Sequence, residues 1–472
     1  MRLWRQGVAV AAALALAPAA LAAAEATTGS LYPSDVSRTA LATALGGSAY
    51  ILDDIGPHED FAAAVRRAVG LHPLYHQEVS RRDEARAAIR AGRAALYPRL
   101  SASLSGDYVV AREFGAGTDN VVESLRNRSQ MNAGVTASQL LFDGGATFAR
   151  INEAKAQTAS AEKSIDARVN ELALGALSAF HDLATHQAVM KAGEEFIARH
   201  ERLLADIKER QRLGAGTQAD VMQASARLAA ARARVAHIRE SLRFAEIRYK
   251  EYFGREPLRL RRPSYEAVAV GSRDEAAALA VERHPEIGIA AARLDEAQAA
   301  HKAAKAARLP EIRAQMNAVK YDAFEGSDDY DVRAGVNLNY DIFSGGARGA
   351  AVAQAAARAR QQSYDEARVR QEVEREAMIA FERREACNER LAALADALIA
   401  NAEARRLISE RFRAARGELI DVLQAENDYF EASVAYLAGL ADRDMATYGL
   451  MEHTGDLIRL FSPQADHDDG GD

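Results

Sequence analysis

Apolar and polar residues take turns along four short stretches of the chain. Leu100, Ala102, Leu104, Gly106, Tyr108 and Val110 alternate with Ser101, Ser103, Ser105 and Asp107, and Met131, Ala133, Val135 and Ala137 with Asn132, Gly134, Thr136 and Ser138. Further on, Ile312, Ala314 and Met316 alternate with Arg313, Gln315 and Asn317. Val332, Ala334, Val336, Leu338, Tyr340 and Ile342 alternate with Asp331, Arg333, Asn337, Asn339 and Asp341. A period of two predicts β-strands with one apolar and one hydrophilic face. About ten residues of this kind is the length of a tilted strand that crosses a membrane.

Each strand pair ends in a double glycine, Gly144 and Gly145 or Gly345 and Gly346, and the period then becomes helical. Glycine adopts backbone angles that other residues resist, so both pairs are read as strand-to-helix junctions. From there the helical pattern runs to about Leu213 in one case and Ala415 in the other, roughly 67 residues or 100 Å at 1.5 Å per residue. Val169, Ala176, Leu183, Met190, Ile197 and Leu204 recur every seven residues, which predicts coiled-coil pairing. The second series, Ala377, Leu391, Leu398 and Phe412, is interrupted by Arg384 and Arg405. Both rods turn, near 214–217 and 416–419, into a returning helix of about 35 residues.

The chain is duplicated. Pro73 and Pro98 recur as Pro285 and Pro310, a displacement of 212, whereas Gly145 recurs as Gly346, and Asp220, Val221, Gln223 and Ala224 as Asp421, Val422, Gln424 and Ala425, a displacement of 201. The predicted order is a first-copy helix over 59–98, a first hairpin over 99–142, long and returning helices over 143–256, a linker and second-copy helix over 257–310, a second hairpin over 311–343 and the second long and returning helices over 344–457. Residues 25–58 read as an extended lead-in and 458–472 as a disordered acidic tail.

Composition agrees with long helices, because the ten prolines leave 99–256 and 311–462 free of any. Arg2 and Arg5, an apolar run over 8–23 and small residues at 22–24 predict a signal peptide over 1–24. Its two charges come off the formal −7, leaving −9. That acidity, with Arg and Lys interleaved among Glu and Asp, argues against nucleic acid as a partner. Cys387, the one cysteine, continues a seven-residue series with Val373, Ala380 and Leu394 and reads as a seam residue. His72 and His76 have the spacing of a helical metal pair but lack a third ligand, and read as solvent-facing. Asn127, Arg128 and Ser129 match a glycosylation sequon and read as a polar loop. No nucleophile–base pair or cofactor motif is present, so neither an enzyme nor a cofactor is expected.

Four strands do not close a barrel, and an open sheet edge in lipid leaves backbone groups without partners. Two chains would give about eight strands, a barrel filled by its own side chains; three would give about twelve, wide enough for water. A homotrimer is therefore expected. Over nearly its whole predicted mature length the chain resembles the TolC-like outer-membrane factor family, on the duplicated proline-to-glycine pattern and the paired "Asp, Val, x, Gln, Ala" segments. Residues 417–427, Gly-Glu-Leu-Ile-Asp-Val-Leu-Gln-Ala-Glu-Asn, look like members serving type I secretion.

The resemblance implies a mainly α fold with a small β part: a long helical coiled-coil tunnel in the periplasm, and four strands per chain in a trimeric twelve-stranded transmembrane barrel in outer-membrane lipid. It also implies a periplasmic adaptor and an inner-membrane transporter of the ABC type, or a proton-driven one for drug or metal efflux. Asp421 is placed at a periplasmic gate, where Gln424 replaces a second carboxylate. Asp220 and Phe412 fall at positions that latch the closed mouth, and Gly417 stands where the family often has an arginine, with Arg413 and Arg416 as substitutes. A helix-capping role for Asp421 is the alternative. A periplasmic adaptor or coiled-coil scaffold is the competing class, and it would lack the four strands.

Overall fold

The computed structural model describes residues 38–52, 58–111, 113, 129–256, 259–263, 270–323 and 328–463. The predicted signal peptide, the sequon's Asn127 and Arg128, and 464–472 of the predicted tail lie outside them. Four antiparallel strands, β1 (Arg99–Tyr108), β2 (Ser129–Phe142), β3 (Glu311–Lys320) and β4 (Tyr330–Asn339), form one sheet in the order β1-β2-β3-β4. The register gathers the alternation of all four onto single faces. Leu104 faces Ala133, Ala102 faces Val135, Val135 faces Ala318, and Ala318 faces Val332; on the opposite face Ser101 meets Thr136, Thr136 meets Asn317, and Asn317 meets Arg333. Among the described residues no helix covers either face: Leu100 is 72% exposed and Val336 65%.

Two rods of 67 residues, α4 (Ala146–Arg212) and α8 (Ala347–Arg413), carry the molecule, and their ends are displaced by 201 positions at both termini. The returning helices are α5 (Gln218–Phe253) and α9 (Leu419–His453). On the strand side lie α3 (Pro73–Ala94) and α7 (Pro285–Ala306), preceded by α2 (His58–Leu71) and α6 (Arg273–Arg283). Near the sheet the helices lie side by side as α3, α4, α7 and α8; toward the far tip the order is α5, α4, α9 and α8. The α4 seam is buried at Val169, Ala176, Leu183 and Met190 and half-buried at Ile197 and Leu204. In α8, Ala377, Leu391, Leu398 and Phe412 are buried in the same way, as is Cys387.

The duplication extends to side chains. His72 and His284 each precede a proline at a helix start and accept a hydrogen bond from the backbone N–H two residues on, at 3.2 and 3.3 Å. Each imidazole stacks on a ring at the end of a returning helix, His72 on Tyr252 and His284 on His453, both at 5.7 Å. His72 is thus a helix cap, while Glu78, near it in sequence, is buried and paired with Arg81 and Arg168.

Two expectations are corrected. Residues 38–52 are not extended: α1 (Arg38–Leu45) and a 3-10 turn (Gly46–Leu52) bury Leu41, Leu45, Ile51 and Leu52 against α4, α8 and α9. Two short turns are too brief to show a helical period, and their burial depends on helices far along the chain. At the other end, α10 (Asp456–Phe461) buries Leu457 and Phe461, so the ordered chain runs past 458.

Candidate functional site

At the strand-to-helix junctions all four glycines have positive φ: 67° and 87° at Gly144 and Gly145, 60° and 86° at Gly345 and Gly346. Space also constrains Gly144, where a Cβ would sit 2.9 Å from the Ala306 carbonyl oxygen and 2.7 Å from Leu309. The copies are fastened differently. Asp143 Oδ1 accepts from Gly145 N at 3.0 Å, and Oδ2 from Thr147 N and Oγ1 at 2.6 Å. Burial pushes the Asp143 carboxyl up, but the bonds from Thr147, Gly145 and Ala146 together hold it below the usual carboxylate range. In the second copy Ser344 contributes only its backbone carbonyl, to Ala347 N at 3.1 Å, and Arg348 binds Asp341 instead.

At the far tip both rods end in the same turn. Ala215 N donates to Arg210 O at 2.8 Å and Gly214 N to Gln211 O at 3.0 Å; Arg416 N to Arg411 O and Ala415 N to Phe412 O repeat the pattern at 2.9 and 3.1 Å. This left-handed helix stop favours glycine. Gly214 has φ 75°, but its counterpart Ala415 holds φ 56° with a Cβ, a strain of about 1 kcal/mol. Gly417 sits close to the chain, a Cβ there meeting Phe412 N at 3.3 Å, so the arginine of the resemblance would crowd this turn.

One substitution separates the two returning helices. Thr217 and Asp220 form a capping box, with Asp220 N donating to Thr217 Oγ1 at 3.1 Å and Thr217 N to Asp220 Oδ2 at 2.9 Å. Those bonds, from the Thr217 backbone and then its hydroxyl, hold the Asp220 carboxyl below its usual range. In the second copy Glu418 stands where Thr217 was and makes no side-chain cap. Asp421, the counterpart of Asp220, is left exposed, with no capping bond of its own. It lines a hollow of about 310 Å3 with Gln424, Asp428, Arg411, Asn401 and Gly417. Gln424 Nε2 donates to Asp428 Oδ1 at 2.7 Å, so a second carboxylate lies seven residues from Asp421 on one helix face. Sequence reading passed over Asp428 and Arg411, although i, i+3, i+7 spacing from Asp421 through Gln424 marks Asp428.

Phe412 is buried with Ile207, Val221, Leu419, Val422 and Leu423. Arg210 lies over its ring at 4.3 Å and donates to its carbonyl at 3.2 Å. The structure thus brings Phe412 beside Val221, next to Asp220 in sequence, while Arg413 and Arg416 remain exposed. Above this core sits a clamp that sequence reading missed. Glu426 of α9, 8% exposed, accepts from Arg199 of α4 at 2.8 Å and lies 3.8 Å from Arg405 of α8. The same guanidiniums stack on Tyr429 at 5.0 and 4.0 Å, and its hydroxyl donates to Ala44 O at 2.6 Å. Arg405, an interruption in the heptads, is a member of this clamp.

The other interruption, Arg384, donates to Val270 O at 3.1 Å. Nearer the middle of the rods, Arg262 makes a buried two-pronged pair with Asp444, joined by Arg443 and by His181 at 3.6 Å. Burial pushes His181 down to about 4, with Asp444 pulling it up and Arg262 pushing it down. Among the described residues no group of three or more His, Cys, Asp or Glu is placed to hold a metal ion, and no helix is long and apolar enough to cross a membrane.

A four-stranded amphipathic sheet carried on duplicated coiled-coil rods defines a class of outer-membrane channel proteins. The chain belongs to the outer membrane efflux protein family, whose model matches residues 72–255 and 276–456. It is 26% identical over 355 residues to the outer membrane efflux protein BepC of Brucella suis biovar 1, covering 75% of this chain and 76% of that one. It is 29% identical over 314 residues to protein CyaE of Bordetella pertussis, covering 63% and 62%. Among solved structures, the outer membrane protein VceC of Vibrio cholerae superposes with a TM-score of 0.72 at 17% identity, over 83% of this chain and 95% of that one. The outer-membrane channel OprN gives 0.73 at 18%, over 91% and 95%. The protein is therefore an outer-membrane protein whose helical part lies in the periplasm.

Proposed function

We propose that three copies of the chain close one twelve-stranded barrel and act as the exit duct of a tripartite export system. Such a duct receives cargo from a periplasmic adaptor and an inner-membrane transporter. The observation that carries this is the sheet. One continuous apolar face suits lipid, one continuous polar face suits a water-filled lumen, and both outer edges, β1 and β4, await a partner. Edge-to-edge closure of three sheets meets the backbone requirement without further chain.

Protein secretion of the type I kind, with an ABC transporter, is the favoured use, on the 417–427 segment. Drug or metal efflux with a proton-driven transporter is the second reading, supported as to efflux alone by the name of the Brucella relative, an outer membrane efflux protein. The test is cysteine pairing between Ala102 or Leu104 on β1 and residues of β4, in a Cys387→Ser background, on outer-membrane fractions. The expected product is a heat-sensitive trimer locked by disulfides that conducts ions in planar bilayers. Monomeric protein released with the soluble periplasm would overturn the duct, and the transporter recovered by cross-linking in cells separates the two uses.

A further inference from the structure

On the helix side, the polar face of the sheet ends in a cavity of about 630 Å3. Four arginines line it: Arg99 at the start of β1, Arg150 early in α4, Arg313 on β3 and Arg348 early in α8, with Ser138 and Asn339 between them. The register puts the strand residues on one face, because Arg99 pairs with Ser138, Arg313 with Leu140, and Asn339 with Glu311. That is the face of Ser101, Thr136 and Asn317, turned away from the apolar stripe of Leu100, Val135 and Val336.

Two of the guanidiniums are committed, Arg313 to Glu311 and Arg348 to Asp341. The remaining lining carboxylate, Asp143, has its oxygens occupied by Gly145 and Thr147. Arg99 and Arg150 are exposed and make no ion pair within 4 Å among the described residues, Arg150 acting on Glu153 only at longer range. Two uncommitted guanidiniums facing a concave polar site suit the planar oxygens of phosphate or carboxylate, which such groups bind through paired charge-assisted hydrogen bonds.

We propose that this site binds multivalent oxyanions in the lumen, as a basic collar where the barrel meets the helical tube. The inference rests on the barrel reading, which turns the polar face inward and repeats the site around one lumen. The apolar stripe on the opposite face separates it from lipid headgroups.

Inorganic tripolyphosphate is the probe. Titrated calorimetrically into the detergent-solubilised full-length protein, it binds, and the double variant Arg99→Gln, Arg150→Gln weakens that binding by about tenfold or more, as loss of charge-assisted contacts requires. The variant Arg99→Lys, Arg150→Lys, which keeps charge without the planar fork, falls between. Equal affinity in the wild type and the glutamine variant, with helical content unchanged by circular dichroism, overturns the collar. In planar bilayers tripolyphosphate reduces the wild-type current and not the variant's. A channel that conducts but whose tripolyphosphate binding ignores Arg99 and Arg150 loses the collar and keeps the duct. Arginine-dependent binding without conductance loses the duct and keeps the site. Binding abolished by phosphatidylglycerol in the detergent mixture would assign the site to lipid and overturn the lumenal reading.

Discussion

His181 shows how a single buried side chain ties the stability of this fold to pH. Its imidazole, 3% exposed, packs by Tyr448 at 5.6 Å and lies 3.6 Å from Asp444, which is already paired with Arg262 and Arg443. Folding holds its pKa at about 4, below the ordinary 6.5, so the neutral form is the one that folds. Its stabilising contribution is complete above pH 6.5 and falls as pH drops toward 4, because the unfolded chain takes up the proton first. His284, pushed to about 4 by burial and then by His453, acts with the same sign. Glu452, raised to about 7 by burial, Glu376 and Glu171, acts oppositely, losing stability as pH rises from 4.5 to 7. The difference between wild type and His181→Gln isolates the first term. Lowering pH from 7 to 5 is expected to cost the wild type roughly 2 kcal/mol more than the variant, measured by chemical unfolding followed by helical circular dichroism. Equal pH slopes would remove His181 from this role.

Among the elements, the rods were legible and the clamp between them was not. Periods of two and seven are local signals, so strands, helix ends and the buried positions of α4 follow from neighbours within a few turns. Arg199 and Glu426 are 227 positions apart, and Arg262 and Asp444 are separated by 182. No local period announces that a charged residue within a helix or a linker is headed for burial; Arg405 showed only as a break in a heptad. Asp421 could be placed at the tip, but its freedom from capping depends on Glu418 standing where the first copy has Thr217. Glu426 holds charged groups from two rods with side chains 14% and 25% exposed, so removing its charge leaves both poorly compensated. Glu426→Gln is expected to cost about 3 kcal/mol. In a double-mutant cycle with Arg199→Gln, the unfolding free energies should couple by roughly 1–3 kcal/mol. Strict additivity would mean that hydrophobic packing alone joins the rods there.

For the whole molecule, the proposed threefold repetition would convert side chains that are unremarkable in one chain into rings. Asp421 and Asp428 line one exposed hollow at the tip farthest from the sheet, and in the proposed trimer three copies would place their carboxylates around a single pore. A ring of like charge in a narrow aqueous path favours counterions. Asp421→Asn is expected to lower the cation-to-anion permeability ratio severalfold in reversal-potential measurements across a salt gradient, with Asp428 supplying the remainder. An unchanged ratio would return Asp421 to the role of an ordinary surface residue.

The bond from Tyr429 to Ala44 spans 385 positions. With the N-terminal signal peptide expected from the sequence, α1 would be delivered early and two of the helices that receive it, α8 and α9, late. Until α8 and α9 arrive, the groove that α1 and the 3-10 turn share with α4 is incomplete, and Leu41, Leu45, Ile51 and Leu52 remain partly open to wrong partners. Completion of that docking is thereby postponed toward the end of delivery, and a fully seated α1 would mark a chain that has been delivered almost in full.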